Sequence, residues 1–103
     1  MKRLFTLAII GLLLAGATAT ALAAHNFVID NRGSHLVAAI QISGVNRRKW
    51  GPNLLRARLR GNYHTSFSIG EGCMEDVLVT YANRHQTTTA NFNTCKFNLQ
   101  LNY

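Results

Sequence analysis

Hydrophobic and polar residues alternate along most of the chain beyond residue 25, and this two-residue period is typical of β-strands. Six segments carry the alternation or a short apolar run, and most are followed by Gly, Asn, Ser or Arg: 26–31, 35–42, 62–69, 76–82, 87–94 and 96–103. No segment beyond residue 25 sustains the 3.6-residue period of a helix. Short strands at intervals of about 8–12 residues predict an all-β fold, a small antiparallel β-sandwich or barrel of six or seven strands.

Turn residues between the segments predict which strands are neighbours. The stretch 31–34, Asn-Arg-Gly-Ser, has the spacing of a hairpin turn, so the first two strands are expected to pair. A second hairpin is expected between 76–82 and 87–94, centred near Arg84. In the last segment, alternation places four side chains on one face of the predicted strand: Phe97, Leu99, Leu101 and Tyr103.

The first 23 residues differ from the rest and have the three parts of a secretory signal peptide. A positive start, Met1-Lys2-Arg3, precedes the apolar run LFTLAIIGLLLAGA and the small-residue stretch ATATALAA. The triplet ALA (21–23) predicts cleavage after Ala23, with cleavage after Ala24 as the alternative. The apolar run is short for a membrane anchor, and no charged flank follows it. The sequence therefore predicts one domain, residues 24–103, secreted or in the periplasm.

Cysteine content supports an exported domain. The chain has two cysteines, Cys73 and Cys95. An even count in a small exported domain predicts one disulfide, whereas a metal site needs further ligands at tight spacing. In a hairpin centred near Arg84, the two residues would face each other at the open end. Closing a loop of about 22 residues would stabilise the domain by about 3 kcal/mol.

Positive charge is concentrated in one stretch. Eleven Lys and Arg against four Asp and Glu give a net charge of +7, which becomes +5 when Lys2 and Arg3 are removed with the signal peptide. Six of the eleven lie in NRRKWGPNLLRARLR (46–60): Arg47, Arg48, Lys49, Arg56, Arg58 and Arg60. Arginine binds carboxylates and phosphates through a planar fork, so these six residues are predicted to bind an anion. In an extended chain the last three share one face, and Leu55, Ala57 and Leu59 share the other.

An alternative interpretation of the arginines stays open, because charged side chains also protect exposed edge strands from aggregation. Aromatic residues near the basic stretch, Trp50, Tyr63 and Phe67, would supply stacking surfaces to a bound partner. Trp50 is interpreted mainly as a loop anchor, because the Trp-Gly-Pro sequence would fix the loop by burial of the indole ring.

Four motifs resemble a family of small, uncharacterised secreted bacterial proteins: WGPNLL (50–55), an apolar strand after Gly61, CMEDVLVTY (73–81) and NFNTC (91–95). That family has a W-G-x-[DN]-L-L segment, a C-x-x-D strand and an N-x-C near the end. The resemblance implies export and the β fold, and it carries no activity. Members usually have small, Gly- or Pro-containing residues where this chain has 56–60, so the arginines there are expected to be particular to this protein.

Histidines and acidic residues give little sign of catalysis. An acid–base hydrolase needs two titrating groups that converge on one substrate, and nothing in the sequence brings together two of His25, His35, His64 and His85. His25 is a weak candidate for copper binding if signal cleavage places it at or beside a new amino terminus. Asp30 is expected to pair with Arg32. No cofactor is predicted.

The leading hypothesis is a non-enzymatic, envelope-associated binding module whose basic surface engages an anionic macromolecule. The partner would be an acidic protein, a glycolipid or a cell-wall polymer, and export argues against nucleic acid. One alternative is a small secreted His-dependent hydrolase or toxin resembling a ribonuclease. Another is a structural subunit that pairs with a partner through an edge strand.

Overall fold

The computed structural model describes residues 24–44, 49–70 and 72–103, which form two three-stranded β-sheets and no helix. The predicted all-β class is confirmed, with six strands. Their bounds are β1 His25–Asn31, β2 Val37–Gly44, β3 Tyr63–Ile69, β4 Met74–Tyr81, β5 Gln86–Asn93 and β6 Leu99–Leu101. The predicted signal peptide, residues 1–23, lies outside the described residues.

The two sheets have the strand orders β3-β1-β6 and β2-β4-β5. All neighbours are antiparallel except β1 and β6, which run parallel. The expected hairpin between the first two strands is wrong, because β1 and β2 belong to different sheets. Asn31 gives the physical reason: its side chain accepts from the Gly33 N–H and donates to the His35 carbonyl, both at 3.0 Å. These bonds hold the turn so that the chain crosses to the other sheet.

The core lies between the two sheets and is built mainly by their central strands. In β1, Phe27 and Ile29 are fully buried, and in β4 Val77, Val79 and Tyr81 are at most 2% exposed. Strands β2, β3 and β6 and one loop residue complete the cluster with Val37, Ile40, Leu59, Ile69, Leu99 and Leu101. Because a central strand has neighbours on both sides, its inward side chains are shielded from water in every direction.

The last strand is shorter than predicted. Leu99 and Leu101 are buried as expected, but β6 spans 99–101 instead of 96–103. The N–H groups of Lys96 and Phe97 bond to the Asn93 carbonyl, so the chain is still turning there. Phe97 is therefore outside the strand and 59% exposed.

The predicted disulfide between Cys73 and Cys95 is confirmed, with the two Cα atoms 5.1 Å apart. The expected register of its hairpin is wrong. A hairpin centred near Arg84 would place Leu78 opposite Ala90, but Leu78 pairs with Thr88.

A β-bulge then shifts the register toward the cysteines. Glu75 pairs with Phe92 and Val77 with Thr89, so two residues of β5 face Asp76. One of them, Asn91, has a φ of 54° and donates its N–H to the Asp76 carboxylate at 2.9 Å. Asparagine adopts this left-handed conformation more readily than most residues, which explains why the bulge forms here.

Candidate functional site

The segment from Lys49 to Arg60, called here the crossover segment, runs along the edge of β2 and connects the two sheets. The Gly51 N–H donates to the Ile42 carbonyl at 3.0 Å, and the Leu54 N–H donates to the Ile40 carbonyl at 2.8 Å. Farther along, Leu59 and Val37 exchange both backbone hydrogen bonds. The segment is thus fixed to β2 at several points, although only Leu59 makes a ladder bridge.

Side chains complete the attachment of the crossover segment. Asn53 Oδ1 accepts from the Ile40 and Leu55 N–H groups, both at 3.0 Å, and Gln41 donates to the Gly51 carbonyl at 2.9 Å. The Trp50 ring is 39% exposed, so burial of the indole does not hold the loop as expected. The backbone of Gly51 and the amide of Asn53 do this instead.

Asn31 fixes the far end of the crossover segment. It is fully buried, and its Nδ2 donates to the Leu59 carbonyl at 3.1 Å in addition to its bonds within the turn. Its own carbonyl accepts from the Asn62 N–H at 2.6 Å. A buried amide with these partners holds Leu59 between two arginines, because a lost partner would leave a buried polar group unsatisfied.

A cleft of about 410 Å³ separates the crossover segment from β3. The crossover side contributes residues 54–60, including Arg56, Arg58 and Arg60, and the β3 side contributes residues 63–67. The three arginines are exposed, while Leu54, Leu55 and Phe67 are half-buried. The cleft is therefore lined by three exposed arginines together with partly buried apolar side chains.

Charge in the cleft is uncompensated within the part of the chain that the structure describes. The ion pair found there is the predicted one, Arg32 Nε to Asp30 Oδ2 at 2.9 Å. No described acidic side chain forms an ion pair with Arg56, Arg58 or Arg60. These arginines also do not belong to an edge strand, because 56–58 lie in irregular structure and only Leu59 forms a bridge.

The other predicted anion-binding residues are placed differently. Arg47 and Arg48 lie outside the described residues. Lys49 is exposed, and neither it nor Trp50 lines the cleft. Two of the aromatic residues considered for stacking, Tyr63 and Phe67, do line it. The concave surface therefore adjoins β3 instead of the Trp50 loop.

Sequence reasoning missed the second wall of this cleft and the role of Asn31. The alternation in 62–69 predicted a strand, but it did not predict that His64 and Thr65 would lie across from the arginines. An Asn directly before Arg-Gly-Ser was the available signal for the anchor, since Asn side chains in turns bond the following backbone.

Two histidines meet at Tyr103, which corrects the expectation that nothing brings a pair together. The ring centroids of His35 and His85 lie 4.0 and 4.1 Å from that of Tyr103, each plane inclined by 20°. Two imidazole rings at these distances on the same face of the Tyr103 ring would overlap each other, so His35 and His85 stack on opposite faces of that ring. The phenol ring lies between them, and they do not converge on one point as acid–base catalysis requires.

His25 has a structural partner. Its Nε2 lies 2.8 Å from Thr94 Oγ1, and the Thr94 hydroxyl donates to the Cys73 carbonyl at 2.9 Å. Because the single hydroxyl proton is used, Thr94 accepts from His25, whose Nε2 carries the hydrogen. This bond ties the start of β1 to the disulfide. Among the described residues, no group of three or more His, Cys, Asp or Glu side chains is arranged to hold a metal ion.

Comparisons with known proteins add no assignment: no protein family matches the chain, and neither curated proteins nor solved structures show significant similarity to it. The resemblance to the secreted bacterial family therefore stays a prediction. In the described ranges, no helix has the length and apolar character needed to cross a membrane.

Proposed function

We propose that the protein is a non-enzymatic binding module that holds an anionic segment of a macromolecule in the cleft between the crossover segment and β3. The observation that carries this proposal is that Arg56, Arg58 and Arg60 line one cleft and have no described acidic partner. Guanidinium groups that no described acidic side chain neutralises attract carboxylates or phosphates and keep their bidentate hydrogen bonds available.

The dimensions of the cleft support a ligand of moderate size. Its volume of about 410 Å³ falls in the range of small-ligand sites, about 300–1,000 Å³. The half-buried Leu54, Leu55 and Phe67 add apolar contact beside the charges, which a simple ion cannot use. A segment of a larger anionic molecule, with both charged and apolar groups, fits this arrangement best.

The compartment belongs to the same proposal. A confirmed disulfide is compatible with an oxidising environment outside the cytoplasm. Together with the signal-peptide pattern of residues 1–23, it supports a secreted or periplasmic location, where acidic proteins, anionic glycolipids and cell-wall polymers are available partners.

The first prediction concerns two matched double variants. We expect Arg56→Ser with Arg58→Ser to weaken binding of fluorescently labelled polyphosphate about five- to thirtyfold, because each partly exposed charge contact contributes about 0.5–1 kcal/mol. The control, Arg84→Asn with Lys96→Ser, removes the same charge from residues that do not line the cleft. Asn suits position 84, where φ is 75°. Fluorescence anisotropy measures both affinities.

Two results would contradict the proposal. One is equal weakening by both double variants, which would mean that net charge alone attracts the anion. The other is an affinity that does not change between about 50 and 500 mM NaCl, because contacts between exposed charges are screened over that range.

A further inference from the structure

Strand β3 is a long, regular edge of its sheet. It pairs with β1 over seven consecutive residues without a register shift, and its other side has no neighbouring strand among the described residues. That open side faces the cleft that the arginines line. Such an edge offers a row of backbone hydrogen-bonding groups to another chain.

The residues that offer these groups follow from the bonds of β1. The Arg32 N–H donates to the Leu101 carbonyl of β6, and the Asn31 carbonyl accepts from the Asn62 N–H, so Asn31 and every second residue before it direct their backbone groups toward β3.

Thr65 and Phe67, which pair with Ile29 and Phe27, therefore exchange hydrogen bonds with β1. Hydrogen-bonded and non-hydrogen-bonded pairs alternate in an antiparallel ladder, so His64, Ser66 and Ser68 direct their N–H and C=O groups away from β1. Among the described residues, no backbone hydrogen bond outside the ladder reaches these outward groups.

The other edges are less suited to a partner. The crossover segment covers β2, and β6 has only three residues. β5 is long, but its bulge at Asn91 interrupts the register, a common means of protecting an edge from pairing. β3 has none of these protections.

We infer that an extended acidic peptide segment of a partner protein adds to β3 as a fourth strand of that sheet, with its carboxylates facing Arg56, Arg58 and Arg60. This inference rests on the proposed function and names the partner class of the same cleft. Strand addition obtains affinity from main-chain hydrogen bonds and specificity from alternate side chains, and here the alternate side chains meet the arginines.

Charge distinguishes this partner from a second copy of the chain. Pairing of two β3 strands would bring two sets of three arginines, none of them in an ion pair with a described acidic side chain, into the same cleft region, and like charges oppose such an interface. An acidic segment compensates the same charge.

The test uses a labelled nine-residue peptide that alternates Glu and Thr. Directly opposed residues of an antiparallel pair share a face. Peptide residues opposite Thr65 and Phe67 therefore turn their side chains toward the crossover segment, and the peptide residues that alternate with them, opposite His64 and Ser66, exchange hydrogen bonds with β3. Because the side chains facing the arginines are Glu, the Thr N–H groups are the ones that bond to the edge.

Two N-methylated peptides of identical charge separate pairing from electrostatics. Methylation of the Thr nitrogens should weaken binding about tenfold or more, since it removes two or more hydrogen bonds, each contributing about 1 kcal/mol. Methylation of the Glu nitrogens should leave the affinity within about twofold of the parent peptide. Equal binding by all three peptides would overturn strand addition.

A variant of the protein gives an independent test. Ser66→Pro removes the outward N–H at an edge position, where proline is tolerated, and Ser66→Ala keeps it. We expect Ser66→Pro to lose affinity for the parent peptide and to keep its affinity for polyphosphate. Equal peptide affinity of a folded Ser66→Pro and of Ser66→Ala would contradict the inference, and the methylated peptides decide if Ser66→Pro does not fold.

The two proposals fail in different ways. Arginine-dependent polyphosphate binding with equal affinities for all three peptides refutes strand addition and leaves the anion site standing. Binding of polyphosphate and peptide that is unaffected by loss of Arg56 and Arg58 refutes both.

Discussion

Close backbone contacts at single residues set the shape of one end of the molecule. At Gly33, a Cβ atom would overlap the backbone of Tyr103, and at Gly61 it would overlap the Gly33 carbonyl oxygen. The Tyr103 carbonyl also accepts from the Ser34 and His35 N–H groups, at 3.0 and 3.1 Å. Glycine is required at 33 and 61 because three backbone segments meet there without room for a side chain.

Gly33→Ala should therefore destabilise the protein by about 1–3 kcal/mol, as overpacking at an unyielding site does. Its matched control is Gly70→Ala, where a Cβ would meet no heavy atom within 4 Å. The control should stay within about 0.5 kcal/mol of the wild type. Urea unfolding followed by circular dichroism measures both, and equal stability of the two variants would show that the end of the chain shifts freely to make room.

Tyr81 makes stability depend on alkaline pH. It is 2% exposed, and burial raises the pKa of its hydroxyl above the usual 10.0, while a hydrogen bond with Thr87 acts in the opposite direction and Tyr103 raises the pKa further. Above about pH 10 the unfolded chain releases this proton more readily than the folded chain, so the free energy of unfolding falls as pH rises. Below pH 10 the contribution of Tyr81 is fully present.

The expected result is a decline of the unfolding free energy above pH 10 that is smaller in Tyr81→Phe than in the wild type. Tyr63→Phe, at a residue that is 58% exposed, is the control and should keep the wild-type slope. Urea titrations at several pH values between 8 and about 11 make the comparison. If the free energy of unfolding fell equally with pH in the wild type and in Tyr81→Phe, groups other than Tyr81 would cause the loss of stability above pH 10.

At the scale of strands, the β4–β5 hairpin is secured at its open end by the disulfide. Thr94, which is 2% exposed, bonds through its N–H and its hydroxyl to the Cys73 carbonyl, so the covalent link and two hydrogen bonds act at one place. His25 bonds to the same threonine and joins the other sheet to this point.

Cys73→Ser combined with Cys95→Ser should cost about 3 kcal/mol of stability, the value expected for a closed loop of 22 residues. Reduction of the wild type by dithiothreitol is the matched comparison and should give a similar loss in urea unfolding. A double variant as stable as the oxidised wild type would mean that the Thr94 bonds alone hold the hairpin.

Strand positions follow from the sequence more fully than strand partners do. The alternation in 62–69 predicts β3 to within one residue, because the side-chain period is a local property. Pairing is not local: the turn at 31–34 looks like a hairpin, and only the bonds of buried Asn31 to His35 and Leu59 show why the chain leaves the sheet. The bulge opposite Asp76 could not be predicted for the same reason. Alternation along a strand predicts which residues share a face, but it does not predict which residues of two strands pair.

The candidate site shows the same limit. The common face of Arg56, Arg58 and Arg60 is predicted from their spacing, and all three are exposed and line one cleft. The opposite wall is β3, and its position beside the arginines depends on the order β3-β1-β6 and on how the two sheets meet. Neither the strand order nor the packing of the two sheets can be predicted from a local pattern of residues.

For the whole molecule, the separation between paired strands along the chain has a consequence for the order of folding. β4 and β5 are joined by a short turn, whereas β1 pairs with β3, more than thirty residues later, and with β6, about seventy residues later. Entropy of loop closure makes the hairpin the favoured nucleus, so Cys73 and Cys95 come together early. Of the six described strands, β1 is synthesised first, but it can pair only after β3 and β6 have been made. The sheet that contains β3 and borders the cleft is therefore expected to be completed last.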